Sequence, residues 1–165
     1  MSQDPTDRLI RELIRREREA TQVDVETIIE RVVSAPFADQ APVKERLRGV
    51  TYRGVTFSSR ADSLTYHLIQ RVLEGRWADG TTQSEYLSDL RRSAGDPTAR
   101  VLLYERGEPY VGILGVSRVP EVRWGPRAQP LVYVVYSAAR ARLVSGYMVA
   151  SEREVSHPEG AVWLS

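Results

Sequence analysis

A chain of 165 residues with 42% hydrophobic and 27% charged side chains has the composition of one ordinary folded domain. It has no cysteine, which excludes disulfides, thiolate zinc sites and cysteine nucleophiles, and no apolar run approaches the roughly 20 residues of a membrane span. A net charge of +1, from 23 basic and 22 acidic residues, excludes nucleic-acid binding driven by bulk charge alone.

The charge is unevenly placed. Residues 1–50 carry nine basic and ten acidic side chains, whereas residues 100–142 hold seven arginines against three glutamates. Lys44 is the only lysine. Arginine is the better fork for phosphate, so this bias is compatible with an RNA- or phosphate-facing sheet, although genome composition produces the same bias. Met1 to Pro5 lacks the basic stretch and apolar core of a signal peptide. A cytoplasmic location is therefore expected, with delivery by a specialised secretion route left open.

In chain order, Leu9, Ile10, Leu13 and Ile14 recur at helical spacing after the start signal Asp4-Pro5. Val25, Ile28, Ile29, Val32 and Val33 repeat the pattern, with Asp24 at the expected cap and Ala35-Pro36 as the stop. Residues 37–42 read as a linker and Val43 to Leu47 as a short helix. Gly49 to Phe57 reads as a strand or extended strap, and Ser58 to Asp62 as a polar turn. A helix is predicted from Ser63 to Glu74, with Leu64, His67, Leu68, Arg71 and Val72 on one stripe and Gly75 as its stop. Thr82 and Glu85 have capping-box spacing ahead of Tyr86, Leu87 and Leu90, and Gly95-Asp96-Pro97 ends that helix.

Four strands follow. They are Arg100 to Glu105, Tyr110 to Val116, Leu131 to Tyr136 and Leu143 to Ala150, and the links between the first two and the last two are short. The expected fold class is α+β, with N-terminal helices packed on a C-terminal antiparallel sheet of about four strands. The expected division is a helical extension over 1–48, an α+β domain over 49–150 and a tail over 151–165 whose Val162, Trp163 and Leu164 dock back.

Several chemistries lack their residues. The one interior histidine, His67, has no His-x-x-x-His or Glu-x-x-His partner, so neither metal nor cofactor is expected. No phosphate loop surrounds Lys44, and no Gly-x-Ser-x-Gly elbow occurs. Gly112 and Gly115 inside a strand mark a bulge or a close approach of backbone. His157, in a polar tail, reads as a solvated surface residue. His67 shares a stripe with Leu64 and Leu68, so it is either a core histidine with satisfied nitrogens or a catalytic group. Ser145 and Tyr147 are two apart on the last strand and share a face, with Val144 and Met148 expected on the other, toward the helices. Tyr133 and Val135 share one face of the preceding strand, Val134 and Tyr136 the opposite one. A polar and aromatic face of this kind is either solvent-facing alternation or a site.

The segments Tyr66-His67-Leu68-Ile69-Gln70-Arg71, Gly75-Arg76-Trp77 and Ser145-Gly146-Tyr147 carry a resemblance. In this order, on helices followed by antiparallel strands, they resemble metal-independent bacterial ribonuclease toxins of the barnase, EndoU, colicin and RelE-like class. The arrangement is most similar to the RNase A-like domain at the C-terminus of contact-dependent inhibition toxins. The resemblance covers about residues 55–150. It implies that His67 is the helix histidine, Arg71 or Arg76 the downstream arginine, Ser145 a hydroxyl where the family prefers threonine, and Tyr147 the family tyrosine.

The expectation that follows is an endoribonuclease acting through the 2′-hydroxyl. His67 and Tyr147 are the acid and base groups, an arginine stabilises the phosphorane, and Ser145 hydrogen-bonds a phosphate oxygen. Arg140, Arg142, Arg123 and Arg127 are expected to hold the RNA backbone. The implied partners are RNA, tRNA among the candidates, and an immunity or antitoxin protein. The competing reading is a non-catalytic module whose N-terminal helices bind a partner or a second copy through the Leu9/Leu13 and Val25/Ile29 stripes.

Overall fold

Asp4 accepts a hydrogen bond from the Thr6 amide, with Pro5 at the first helical position, and helix α1 runs Pro5–Ile14. The computed structural model describes residues 4–164. Met1 to Gln3, within the stretch read as lacking a leader, and Ser165, at the end of the predicted tail, lie outside the described residues. Helix α2 spans Gln22–Ser34 and ends at Ala35 before Pro36. Its N-cap is Thr21, not Asp24. Asp24 sits three residues in and completes a capping box with Thr21.

The predicted linker and polar turn are both partly extended. β1 (Gln40–Pro42) pairs antiparallel with β4 (Arg60–Asp62), and β2 (Thr51–Tyr52) folds on β3 (Val55–Thr56) as a hairpin between them. Strands this short have no readable alternation, which is why the sequence pattern misses β1 and β4 and reads the β2–β3 hairpin as one strand or strap over Gly49 to Phe57. A single 3₁₀ turn, Glu45–Leu47, stands where a short helix was expected. Val43, Leu47 and Phe57 from this region pack on Tyr66 and Ile69 of α3 (Ser63–Leu73).

Gly75 follows α3 at φ +78°, the left-handed geometry that stops a helix at little cost only for glycine. Helix α4 (Gln83–Ala94) begins with the predicted Thr82/Glu85 capping box.

β5 (Arg100–Glu105), β6 (Pro109–Val116), β7 (Leu131–Ser137) and β8 (Arg142–Val149) are the four expected strands. The tail adds a fifth, β9 (Val162–Leu164), which pairs antiparallel with β5. The sheet order is β8-β7-β6-β5-β9. The chain is thus α+β, with the helices in its N-terminal part and the large antiparallel sheet in its C-terminal part.

Ile10, Leu13, Val25, Ile28 and Val32 of α1 and α2 share one core with Leu90 of α4 and with Val101, Ile113 and Val134 of the sheet. The apolar stripes of the first two helices are therefore covered by the chain's own sheet. On the opposite sheet face Leu102, Tyr104, Tyr133, Val135 and Val149 pack with Val155 of the tail.

The glycine pair of β6 marks close approach. A Cβ on Gly112 would overlap the Tyr133 hydroxyl, and one on Gly115 the Ser93 carbonyl. The bulge lies elsewhere, between Val135 and Tyr136 of β7, where Val135 pairs with Ser145 and Tyr136 with Leu143. Val144 is the extra residue, and it packs on the Tyr147 side rather than toward the helices. Met148 faces the helices as expected.

Candidate active site at the edge of the sheet

β8 is an edge strand, and α3 closes against it. Arg71, in the last turn of α3 and 6% exposed, donates from Nε to the Gly146 carbonyl at 2.8 Å. Tyr86 of α4 donates to the same carbonyl at 2.6 Å. These two bonds seat the helices on the edge and satisfy a backbone acceptor that would otherwise invite a foreign strand. The rest of the Arg71 guanidinium faces a cleft. Its Nη1 binds both Glu74 oxygens at 3.0 and 3.1 Å, its Nη2 lies 3.4 Å from Ser145 Oγ, and its Cζ sits 5.3 Å from the centre of the Tyr147 ring.

The cleft has a volume of about 410 Å³ and is lined by His67, Arg71, Arg76, Ser145 and Tyr147, all five residues singled out from the sequence. Ser145 and Tyr147, opposite Val135 and Tyr133 in the regular register beyond the bulge, share one face through their spacing of two. Arg76 is placed by the turn at Gly75, and one of its Nη1 hydrogens goes to the Arg127 carbonyl. Both arginines left open by the sequence reach the cleft, but Arg71 is the one in contact with Ser145 and Tyr147.

Lys44, Gln70 and Glu74 also line it, and the sequence reading missed them as site residues. Glu74 had a signal, since its spacing of three from Arg71 is that of a helical ion pair. Lys44 had none. It arrives through the β1–β4 region, and its backbone amide is held by the Tyr66 hydroxyl at 3.1 Å.

The electrostatics of the cleft are those of a place for an anion. Three cations, Lys44, Arg71 and Arg76, face one carboxylate, Glu74, which also meets Arg46 at 3.5 Å. His67 lies between the rings of Phe37 and Tyr66, with centroids 5.7 and 5.1 Å away, and its buried Nδ1 has no partner. Burial first, then the charges of Arg71 and Lys44, push its pKa down to about 3, against a smaller opposite effect of the Val144 backbone. His67 is therefore uncharged at neutral pH. Burial raises the Tyr147 hydroxyl above its ordinary value despite Arg71 and Arg106, so it stays protonated.

The His67 shift has a consequence for stability. The unfolded chain takes up a proton near pH 6.5 that the folded chain refuses down to about 3. Stability is full above pH 6.5 and falls as the pH drops below it. From pH 6.5 to 5, before most carboxylates titrate, the loss is expected to approach ~1.4 kcal/mol per pH unit, the value for one proton. Urea melts of wild type and His67→Gln across that range check this. The variant's curve is expected to be flatter.

The arginines assigned to RNA divide. Arg123 is not available to a phosphate, because its Nε and Nη2 bind Asp89 at 2.9 and 2.5 Å and its Nη1 meets Glu85 at 3.3 Å. Arg140 binds Glu108 at 3.1 and 2.8 Å, at the β7–β8 turn. Arg142, beside it, donates to the Ala141 carbonyl and does not line the cleft. Arg127 packs its side chain on Gly75, next to Arg76.

Larger concavities of about 540 and 600 Å³ lie elsewhere, one beside Phe37 and Arg91 and one between the end of α1 and β9. Neither gathers a histidine, a tyrosine and unpaired cations. Among the described residues, no group of three or more His, Asp or Glu side chains is placed to hold a metal ion, and no helix is long and apolar enough to cross a membrane. Comparison of the chain with protein families, with curated proteins and with solved structures returns no match.

Proposed function

We propose that the chain is a metal-independent endoribonuclease of the toxin-like kind, with its site in the β8-edge cleft. One observation carries the reading. His67, Arg71 and Arg76 come from one region of the chain and Ser145 and Tyr147 from another some 70 residues on, yet all line one cleft. The roles follow from the electrostatics. Neutral His67 accepts the 2′-hydroxyl proton as the 2′-oxygen bonds to phosphorus. The bond from phosphorus to the 5′-oxygen breaks, and the Tyr147 hydroxyl protonates that leaving oxygen. Arg71, Arg76 and Lys44 stabilise the charge that gathers on the phosphorane, and Ser145 donates to one of its oxygens. A scissile phosphate competes with Glu74 for Arg71. It also offsets the two cations that depress His67, raising the basicity of that ring when substrate is present. A nuclease of this type requires an immunity or antitoxin partner in the cell that makes it.

The test is incubation of the folded protein with total tRNA in excess chelator, beside His67→Ala and Tyr147→Phe. Cleavage that survives chelator and vanishes in His67→Ala is expected. Intact RNA with the folded wild-type protein at high concentration overturns the reading.

A further inference from the structure

Beside the cleft, the loop between β6 and β7 holds an indole in the open. Trp124 is 46% exposed and its neighbour Val122 81% exposed, unusual for a side chain as large as tryptophan. The ring is nevertheless fixed, because its Nε1 donates to the Val119 carbonyl at 2.8 Å. The backbone around it is laced to the segment that carries Arg76. The Ala78 amide donates to the Arg123 carbonyl at 2.8 Å, the Gly125 amide to Arg76 at 3.1 Å, and the Arg127 amide to Gly75 at 2.7 Å. Trp124 itself stands opposite Trp77. Arg76 and Arg127 are therefore neighbours on adjacent backbones, and among the described residues neither forms an ion pair.

We infer that this loop is a second RNA subsite, in which Trp124 stacks on a base flanking the scissile step and Arg127 takes the adjacent phosphate. The inference rests on the ribonuclease reading for its ligand. Stacking needs a flat apolar face that is exposed yet already ordered, and single-stranded RNA supplies both partners in alternation, a base for the indole and a phosphate for the guanidinium. The loop is ordered in advance by the buried Asp89–Arg123 pair, so little is lost in fixing it on binding.

The probe is a fluorescent 2′-O-methyl RNA octamer, which cannot be cleaved, compared with a dinucleotide of the same chemistry. Trp124→Leu is expected to weaken octamer binding about tenfold and leave dinucleotide binding unchanged, while Trp124→Phe keeps most of the affinity. Arg127→Ala is expected to reduce the slope of log affinity against log salt by about 0.7, the value for one phosphate on a single strand. Thermal melts of each variant verify the fold, and the Leu/Phe contrast separates stacking from loop packing. Trp124→Leu binding the octamer as wild type does overturns the subsite and leaves the cleavage reading standing. Wild-type protein that binds no octamer overturns the subsite too. Cleavage of unmodified tRNA by that same protein then decides the ribonuclease reading by itself.

Discussion

Arg71→Ala is expected to lower RNA cleavage by about 10²–10³-fold while leaving the chain folded. The residue joins the site to the fold: Nε holds the Gly146 carbonyl, Nη1 holds Glu74, and Nη2 approaches Ser145. Tyr86 still binds that carbonyl in the variant, so the β8 edge keeps one of its two clamps. The structural cost is expected to be about 1.5–3 kcal/mol, that of one charge-assisted hydrogen bond. Arg71→Lys keeps the charge and loses the fork, so it recovers a minor part of the rate. Single-turnover cleavage measured beside a thermal melt separates the two effects. An Arg71→Ala protein that cleaves as wild type removes the cleft from consideration as the site.

Asp89→Ala is expected to be the most damaging single change to stability, at about 3–5 kcal/mol. Asp89 is wholly buried on α4 and accepts from the Trp77 indole at 3.2 Å and from two nitrogens of Arg123, with Arg92 as a further partner. Its loss leaves the Arg123 guanidinium, itself 16% exposed, with only Glu85, 3.3 Å from Nη1 and partly exposed, as a compensating charge. For a chain of this size the melting temperature is expected to fall by about 6–20 °C. Asp89→Asn keeps the shape and one acceptor and falls between. A loss below ~1 kcal/mol in urea or thermal unfolding contradicts the assignment. Under the proposed function, the same change is expected to free the loop that carries Trp124 and Arg127 and so to weaken RNA binding at temperatures where the protein is still folded.

Much of this site is legible from periodicity. The step of four from His67 to Arg71 puts both on one side of α3, and the step of two from Ser145 to Tyr147 puts both on one face of β8. Those are local geometric facts, true before any packing is known. Glu74 was visible as an ion-pair spacing and went unassigned because an exposed helical glutamate is usually solvated. Arg123 and Arg140 illustrate the opposite limit. Both are arginines in a basic region, and only contacts 32 to 38 residues distant in sequence show each bound to a carboxylate. Val144 faces the opposite way from strict alternation because one residue of β8 bulges, and a bulge has no signature in a two-residue period.

By itself, the sequence determined what depends on neighbours within a few positions. That covers the helical stripes, the capping box at Thr82, the stop at Gly75, the four long strands and the α+β order. Tertiary structure alone decided the rest. It set β9 on the edge of β5, paired β1 with β4, buried the first two helices in the common core and carried Lys44 into the cleft. It also decided the protonation of His67, because burial and two cations from other segments depress the ring, and no spacing encodes a dielectric. Periodicity reports which side a residue faces. Which groups meet there is settled by long-range packing, whose partners lie beyond any local pattern.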